Sequence, residues 1–389
     1  MSKVAIFGAS GFVGATLAER MLAKNEHEIV PIIRSPGNAW RLSRHSNMDL
    51  CQVDLLSGQG MDKALKGVDY VINCTRGTND DMLQGLNKLI KASKQHKVKR
   101  FVHLSSVMVF GDPPLAPTED SPTVEQPVET YGGVKLKQDK MVITAAKEGL
   151  SASILVPPNI SGPYSDYLLG LLGTINSGEF ALMDNGVAPS NLVDVQNLCQ
   201  AIELAMTEGR NDASRYFITD DETTTWSDMI GDLQDLQVTE AEMMSISRSE
   251  LEQAVIEPPA PKGSIGLSMK HLVSSHIREA LRKDPLWEKF DLTMRGLVAS
   301  MGSKIEDTLR LSIEGEALVN KRKEGLKFNA RICGQQLREG RHSIARARSE
   351  LGYSPEVSYR QSMDNFKTWY RRLHVLDGKF ADMLRQLYS

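Results

Sequence analysis

The stretch Lys3-Val-Ala-Ile-Phe7-Gly8-Ala-Ser-Gly11-Phe-Val-Gly14 decides how this chain folds. Residues 3–7 are apolar after the lysine and read as a short buried strand. Three glycines at GxxGxxG spacing follow at once, and 14–24 carries apolar residues at helical spacing. A strand, a tight glycine turn and a helix N-terminus in that order make a cradle for a pyrophosphate. Glycine lets backbone N–H groups come that close without a side chain in the way, and the helix adds the positive end of its dipole. Gly8, Ser10, Gly11, Phe12, Val13 and Gly14 are therefore candidate dinucleotide contacts, with strand and helix supplying the context that such a motif requires.

Outward from this turn the pattern repeats. Short β-branched runs at 28–33, 50–53, 70–73, 100–104 and 152–156 alternate with helical patterns at 61–65, 82–96 and 131–148. Such alternation predicts βαβ crossovers and an α/β fold, a Rossmann-type doubly wound parallel sheet. Residues 112–127 hold five prolines and four acids and read as a surface loop. Past residue 160 the rhythm changes: 164–176 and 195–207 read as helices, and 215–219 as a further strand. From about 227 to 330 the pattern is mostly helical, broken by a proline cluster at 257–263. The expected division is a dinucleotide-binding domain over 1–160, to which 191–219 returns, and a smaller, mostly helical substrate domain over 161–389 that includes the insert. The apolar stripe Leu272, Ile277, Leu281, Leu286, Phe290, Met294 and Leu297 in that insert reads first as core packing.

Composition bounds the function. With 389 residues, 41% hydrophobic, the chain is long enough for two lobes and a sizeable core. A net charge of −3 removes the strongly basic signature of a nucleic-acid binder. Nine Lys or Arg against two Glu in 321–349 form a local basic excess, read first as a solvated face and second as a phosphate site. No apolar run approaches the ~18 residues of a membrane span. The opening residues read as a strand and not as a signal peptide. Cys51, Cys74, Cys199 and Cys333 lie far apart with no CxxC pair. Neither a cysteine-based zinc module nor a disulfide framework is expected, no metal site is expected, and a reducing, cytoplasmic setting follows.

Two further positions carry chemistry. The twentieth residue after Gly14 is Arg34, where an acid would hydrogen-bond a ribose 2′-hydroxyl and an arginine would pair with a 2′-phosphate. NADP is thus favoured, with NAD as the alternative. Tyr131-Gly-Gly-Val-Lys135 puts a phenol and an ammonium four residues apart on one helix face. A phenol with a pKa near ~10 is a poor base at neutral pH, and a neighbouring cation favours its ionised form.

Together, the glycine turn, this Tyr-Lys pair and His103-Leu-Ser-Ser106-Val-Met-Val-Phe-Gly111 one strand upstream resemble the extended and atypical branches of the short-chain dehydrogenase/reductase superfamily. That resemblance implies that Ser106 hydrogen-bonds the reacting oxygen, with Ser105 as the alternate. It implies that Asp54-Leu55 holds the adenine, that Cys74-Thr75 lines the cofactor, and that the segment with Pro157 closes over the nicotinamide. It extends to Asn191-Leu-Val-Asp-Val-Gln-Asn-Leu198 and to Leu351-Gly-Tyr-Ser-Pro355, covering about 3–219 and 343–375. Val156 and Ser161 depart from the family's Arg and Tyr. Val107 and Met108 stand where its 4,6-dehydratases carry an Asp-Glu pair, which argues against dehydration. The leading expectation is an oxidoreductase moving hydride between nicotinamide and a secondary alcohol or ketone, with a small-molecule substrate. The alternatives are a nucleotide-sugar epimerase with tightly bound NAD and, from another class, a cofactor-sensing protein without catalysis. A homodimer through 82–96 and 131–148 is expected by analogy.

Overall fold

The computed structural model describes residues 1–111, 117–239, 243–255, 328–338 and 340–374. The proline cluster at 257–263 and the apolar stripe from Leu272 to Leu297 lie outside the described residues. By compactness the chain forms two units, one of Met1–Arg248 with Arg331–Ser389 and one of Ser249–Ala330.

The strands are β1 Ser2–Phe7, β2 His27–Ile33, β3 Cys51–Gln52, β4 Tyr70–Asn73, β5 Arg100–Leu104, β6 Ala152–Val156, β7 Asn159–Ser161, β8 Ala181–Met183, β9 Leu192–Asp194, β10 Asp212–Phe217 and β11 Met244–Ile246. Seven of them form one parallel sheet in the order β10-β6-β5-β4-β1-β2-β3. The chain runs outward one way through β1, β2 and β3 and the other way through β4, β5 and β6. A crevice therefore opens beyond the carboxyl ends of β1 and β4, where ligands settle in sheets of this kind.

The helices α1 Phe12–Lys24, α2 Trp40–Ser43, α3 Met61–Leu65, α4 Leu86–Gln95, α5 Tyr131–Lys147 and α7 Val195–Thr207 cover both faces, and α6 Asp166–Asn176 and α8 Trp226–Gln234 pack apart from the sheet. The first strand shows why its residues are apolar in sequence. Val4 and Ile6 pack into the core shared with α1 and α7, while Ala5 and Phe7 pack into the core shared with α3, α4 and α5. A strand buried on both faces needs no polar alternation. A third core joins α6 and α8 to the closing helix Tyr359–His374 through Leu172, Trp226, Met229 and Phe366.

The late segment 344–353 completes the first core, with Ile344, Ala347, Leu351 and Tyr353 buried in it. Asn197 of α7 fastens the turn that follows. Its Oδ1 accepts from the Glu356 and Val357 amides at 2.8 and 2.9 Å, and its Nδ2 donates to the Val357 carbonyl and to Asp220 at 2.7 Å each. Strands β7, β8 and β11 and helix α2 are additions to the sequence reading. Each has only three or four residues, too few for a period to show. Ahead of α4 a π-helical turn, Asp81–Gly85, brings Gly85 against Leu55.

Candidate active site

The glycine turn has no room for side chains. A Cβ on Gly14 would lie 2.3 Å from the Gly8 carbonyl oxygen, and one on Gly8, at φ +81°, would lie 2.8 Å from the Cys74 carbonyl oxygen. The Gly11 amide donates to the Gly8 carbonyl at 3.0 Å, closing the turn. Gly11 then starts α1 without any side-chain cap, and the first turn holds no acid. The leading N–H groups of a 13-residue helix are thus left for a ligand, which suits an anion. Ser10, Phe12 and Val13 are half-buried around this turn.

Ser106, Tyr131 and Lys135 come together across the crevice from it. Ser106 is extended at the end of β5 and caps the turn Val107–Phe110, its Oγ accepting from the Met108 amide at 3.3 Å. The same hydroxyl lies close enough to the Tyr131 phenol to favour its ionised form. Ser105 turns the other way, toward buried Asp139. Tyr131 opens α5 behind Thr130, whose Oγ1 accepts from the Gly133 amide at 3.1 Å. The two glycines after the tyrosine are forced by the loop lying across the helix start. A Cβ on Gly133 would be 2.1 Å from the Pro127 carbonyl oxygen, and Gln126 lies against Gly132 and donates to the Met108 carbonyl at 2.7 Å.

Lys135 is 5% exposed; its Nζ donates to the Leu104 carbonyl at 2.8 Å and lies 5.9 Å from the Tyr131 ring centroid. Burial depresses its pKa to about 8, against the opposing pull of Asp139 and Cys74. Burial also raises Tyr131 above its ordinary value, partly countered by Arg76 and by the nearby Ser106 hydroxyl, although 41% of the residue is exposed at the crevice mouth. At neutral pH the phenol is therefore protonated and the lysine is close to titrating.

A buried chain of polar groups backs this face. Asn73 Nδ2 donates to His103 Nδ1 at 3.1 Å, which puts the proton of neutral His103 on Nε2, 3.8 Å from Asp139 Oδ1. Desolvation keeps His103 well below its usual range. Asp139 is fully buried, raised by that burial, and paired with Arg215 at 2.8 Å.

The other candidate residues divide. Cys74 and Thr75 follow β4 beside Gly8; Thr75 Oγ1 donates to Asn73 Oδ1 at 2.6 Å. Burial pushes the Cys74 thiol to about 12, which removes it as a nucleophile. The Pro157 carbonyl accepts from the Val107 amide at 3.1 Å, placing that segment next to Ser106. Asp54 caps its own turn, Oδ1 accepting from the Leu56 amide at 2.9 Å, and Leu55 packs on Gly85. Arg34 stands at the end of β2 with its guanidinium already on Asp81 at 3.0 Å. Ser161 does not face the crevice: its hydroxyl meets Ser362 at 2.9 Å in the interior. Arg76 joins this site without belonging to any of its motifs, its guanidinium carbon 5.6 Å from the Tyr131 ring centroid. The visible signal for Arg76 was a charged residue immediately after Cys74-Thr75, where the crevice opens.

The model of the NAD dependent epimerase/dehydratase family matches residues 4–218. The chain belongs to that family. Among curated relatives, it is 26% identical over 215 residues to the N-acetyl-alpha-D-glucosaminyl-diphospho-ditrans,octacis-undecaprenol 4-epimerase of Escherichia coli O157:H7; the match spans 51% of this chain and 62% of that protein. It is 25% identical over 246 residues to the decarboxylating sterol-4-alpha-carboxylate 3-dehydrogenase of Dictyostelium discoideum, over 58% of this chain and 74% of that one. Of solved family structures, UDP-glucuronic acid 4-epimerase from Bacillus cereus in complex with NAD superposes with a TM-score of 0.62 at 16% identity, covering 96% of this chain and 99% of that one. The dTDP-glucose 4,6-dehydratase from Bacillus anthracis in complex with NAD gives 0.63 at 13% identity, covering 96% and 97%. The likeness to these solved structures shows the Rossmann architecture. Among the described residues no helix is long and apolar enough to cross a membrane, and no cluster of metal-ligating side chains occurs.

Proposed function

We propose that the protein is an NAD(P)-dependent oxidoreductase acting on a secondary alcohol or the corresponding ketone. The observation that carries this reading is the convergence of Ser106, Tyr131 and Lys135 beside an uncapped, glycine-led helix N-terminus. Gly8, Gly11 and Gly14 would hold the pyrophosphate, and the bound nicotinamide supplies or accepts the hydride. The chain's own part is the proton. Tyr131, protonated at neutral pH, gives its proton to an alkoxide forming beside it, and Ser106 polarises the same oxygen. Lys135, still mainly protonated at neutral pH, favours the phenolate left behind. In the oxidising direction the roles reverse.

Arg34 supports a preference for NADP, since its guanidinium can exchange Asp81 for a 2′-phosphate; the NAD bound in the similar epimerase and dehydratase structures supports the alternative. The division into a cofactor lobe of 1–160 with 191–219 and a substrate lobe from 161 onward belongs to the same reading. So do a reducing, cytoplasmic setting and a homodimer built through α4 and α5, which pack side by side. Nucleotide released on denaturation, followed by NADPH and NADH titration of stripped protein, tests the cofactor. Tyr131→Phe should lower hydride transfer at least a hundredfold while leaving nucleotide affinity within twofold. Unchanged turnover in that variant would overturn the assignment.

A second reading, an epimerase with retained NAD, is favoured by one contact. Arg338 Nη1 reaches Met108 Sδ at 3.0 Å, and Arg341 donates to the Thr223 hydroxyl, so the basic C-terminal segment comes up beside the turn that Ser106 caps. A substrate diphosphate held there would leave its sugar near Tyr131. Stoichiometric copurifying nucleotide supports the epimerase; rapid exchange supports the reductase.

A further inference from the structure

Arg76 lies two residues beyond Cys74, and its guanidinium carbon sits 5.6 Å from the Tyr131 ring centroid, nearer than Lys135 Nζ at 5.9 Å. Lys135 is committed to the Leu104 carbonyl. Arg76 is exposed at the crevice mouth and, among the described residues, has no hydrogen bond or ion pair. By contrast, Arg20, Arg34, Arg41 and Arg215 each meet a carboxylate at 2.6–3.0 Å. Of the charged groups here, Arg76 beyond β4 acts on the phenol itself; Asp139, Cys74 and Arg76 act on Lys135, and Arg76 acts on Asp166 at the start of α6. Asp166 senses Arg76, and no ion pair within 4.0 Å joins them among the described residues. Asp139 is spent on Arg215. The crevice mouth thus carries an unsatisfied positive fork beside the proton-transfer group.

We propose that Arg76 determines specificity by receiving an anionic group of the substrate, a phosphate or a carboxylate carried next to the alcohol that reacts at Tyr131. A planar guanidinium binds such oxyanions through two parallel hydrogen bonds, which fixes direction as well as charge. The same chemistry could be offered by the cofactor's pyrophosphate. The substrate is favoured because the glycine turn after β1 already provides a pyrophosphate cradle, whereas Arg76 lies over Tyr131. The inference rests on Tyr131 being the proton-transfer residue.

The test uses full-length wild type, Arg76→Gln and Arg76→Lys, an exposed position where folding is not at stake. NADH and NADPH affinities are measured first by fluorescence. Inorganic phosphate and malonate are then titrated calorimetrically into each protein saturated with NAD⁺. Wild type should bind at least one of these anions, Arg76→Gln should bind it about tenfold more weakly, and Arg76→Lys should fall between. Nucleotide affinity should stay within twofold throughout. Equal anion binding by wild type and Arg76→Gln, or none by wild type, would overturn the proposal. A tenfold loss of nucleotide affinity in Arg76→Gln would reassign the anion to the cofactor and overturn it also. Failure of every variant, wild type included, to bind nucleotide would instead overturn the dinucleotide reading on which it stands.

Discussion

Replacing Gly14 by alanine isolates the turn on which the cofactor site depends. The added Cβ would meet the Gly8 carbonyl oxygen at 2.3 Å, its carbon at 2.8 Å and the Ala9 Cα at 2.9 Å. All three are backbone atoms, so no rotamer change relieves the contact. Restoring an ordinary separation moves the start of α1 away from the turn by about 1 Å in an interior packed to crystal-like density. Overpacking of this kind costs about 1–3 kcal/mol, which urea denaturation resolves. Nucleotide binding should suffer more than stability does. The same retreat carries the first N–H groups of α1 out of reach of a phosphate, and each such hydrogen bond to a charged group is worth about 1.5–3 kcal/mol. Affinity for NADH or NADPH should therefore fall roughly tenfold or more. Gly37→Ala, with nothing within 4 Å of the new Cβ, is the control and should do neither. A Gly14→Ala protein that keeps wild-type stability and nucleotide affinity would refute the reasoning.

Three other outcomes follow from described contacts. Between pH 8 and 10.5 the unfolded chain holds the Lys135 proton more tightly than the folded one, so wild type should gain stability relative to Lys135→Met as pH rises through that window. The gap between 10.5 and about 8 sets the gain at about 3 kcal/mol, and a constant difference between urea midpoints at pH 7.5 and 10 would exclude it. Asp81→Asn should raise NADPH affinity relative to NADH several-fold by releasing Arg34, and Arg34→Ala should reverse the preference; fluorescence titration measures both. Asn197→Leu removes four hydrogen bonds around 356–357 and Asp220 and should cost about 2–4 kcal/mol, read from the denaturation midpoint.

The parts legible in the sequence were those with a short-range physical cause. The strands at 70–73, 100–104 and 152–156 are almost wholly buried, so β-branched and aromatic residues mark them despite Asn73, Arg100, His103 and Ser153. The glycine turn and the Tyr131–Lys135 spacing follow from local geometry in the same way. What the sequence hid depends on partners distant along the chain. Nothing local says that Arg34 is held by Asp81, that Ser161 turns inward to Ser362, or that Arg76 lies over the Tyr131 ring. The choice between Ser105 and Ser106 is likewise made by which faces Asp139 and which faces Tyr131.

The debt of the first core to residues 344–357 reaches into how the protein is made. On the ribosome, every strand of the main sheet has been synthesised by residue 217, yet the surface of α7 that Leu351 and Tyr353 cover stays bare until well over a hundred further residues have emerged. Closure over so long a separation is slow, and the waiting intermediate shows water an apolar flank suited to chaperones or to aggregation. Nascent chains arrested before residue 340 should accordingly be digested by protease at sites that the finished molecule protects.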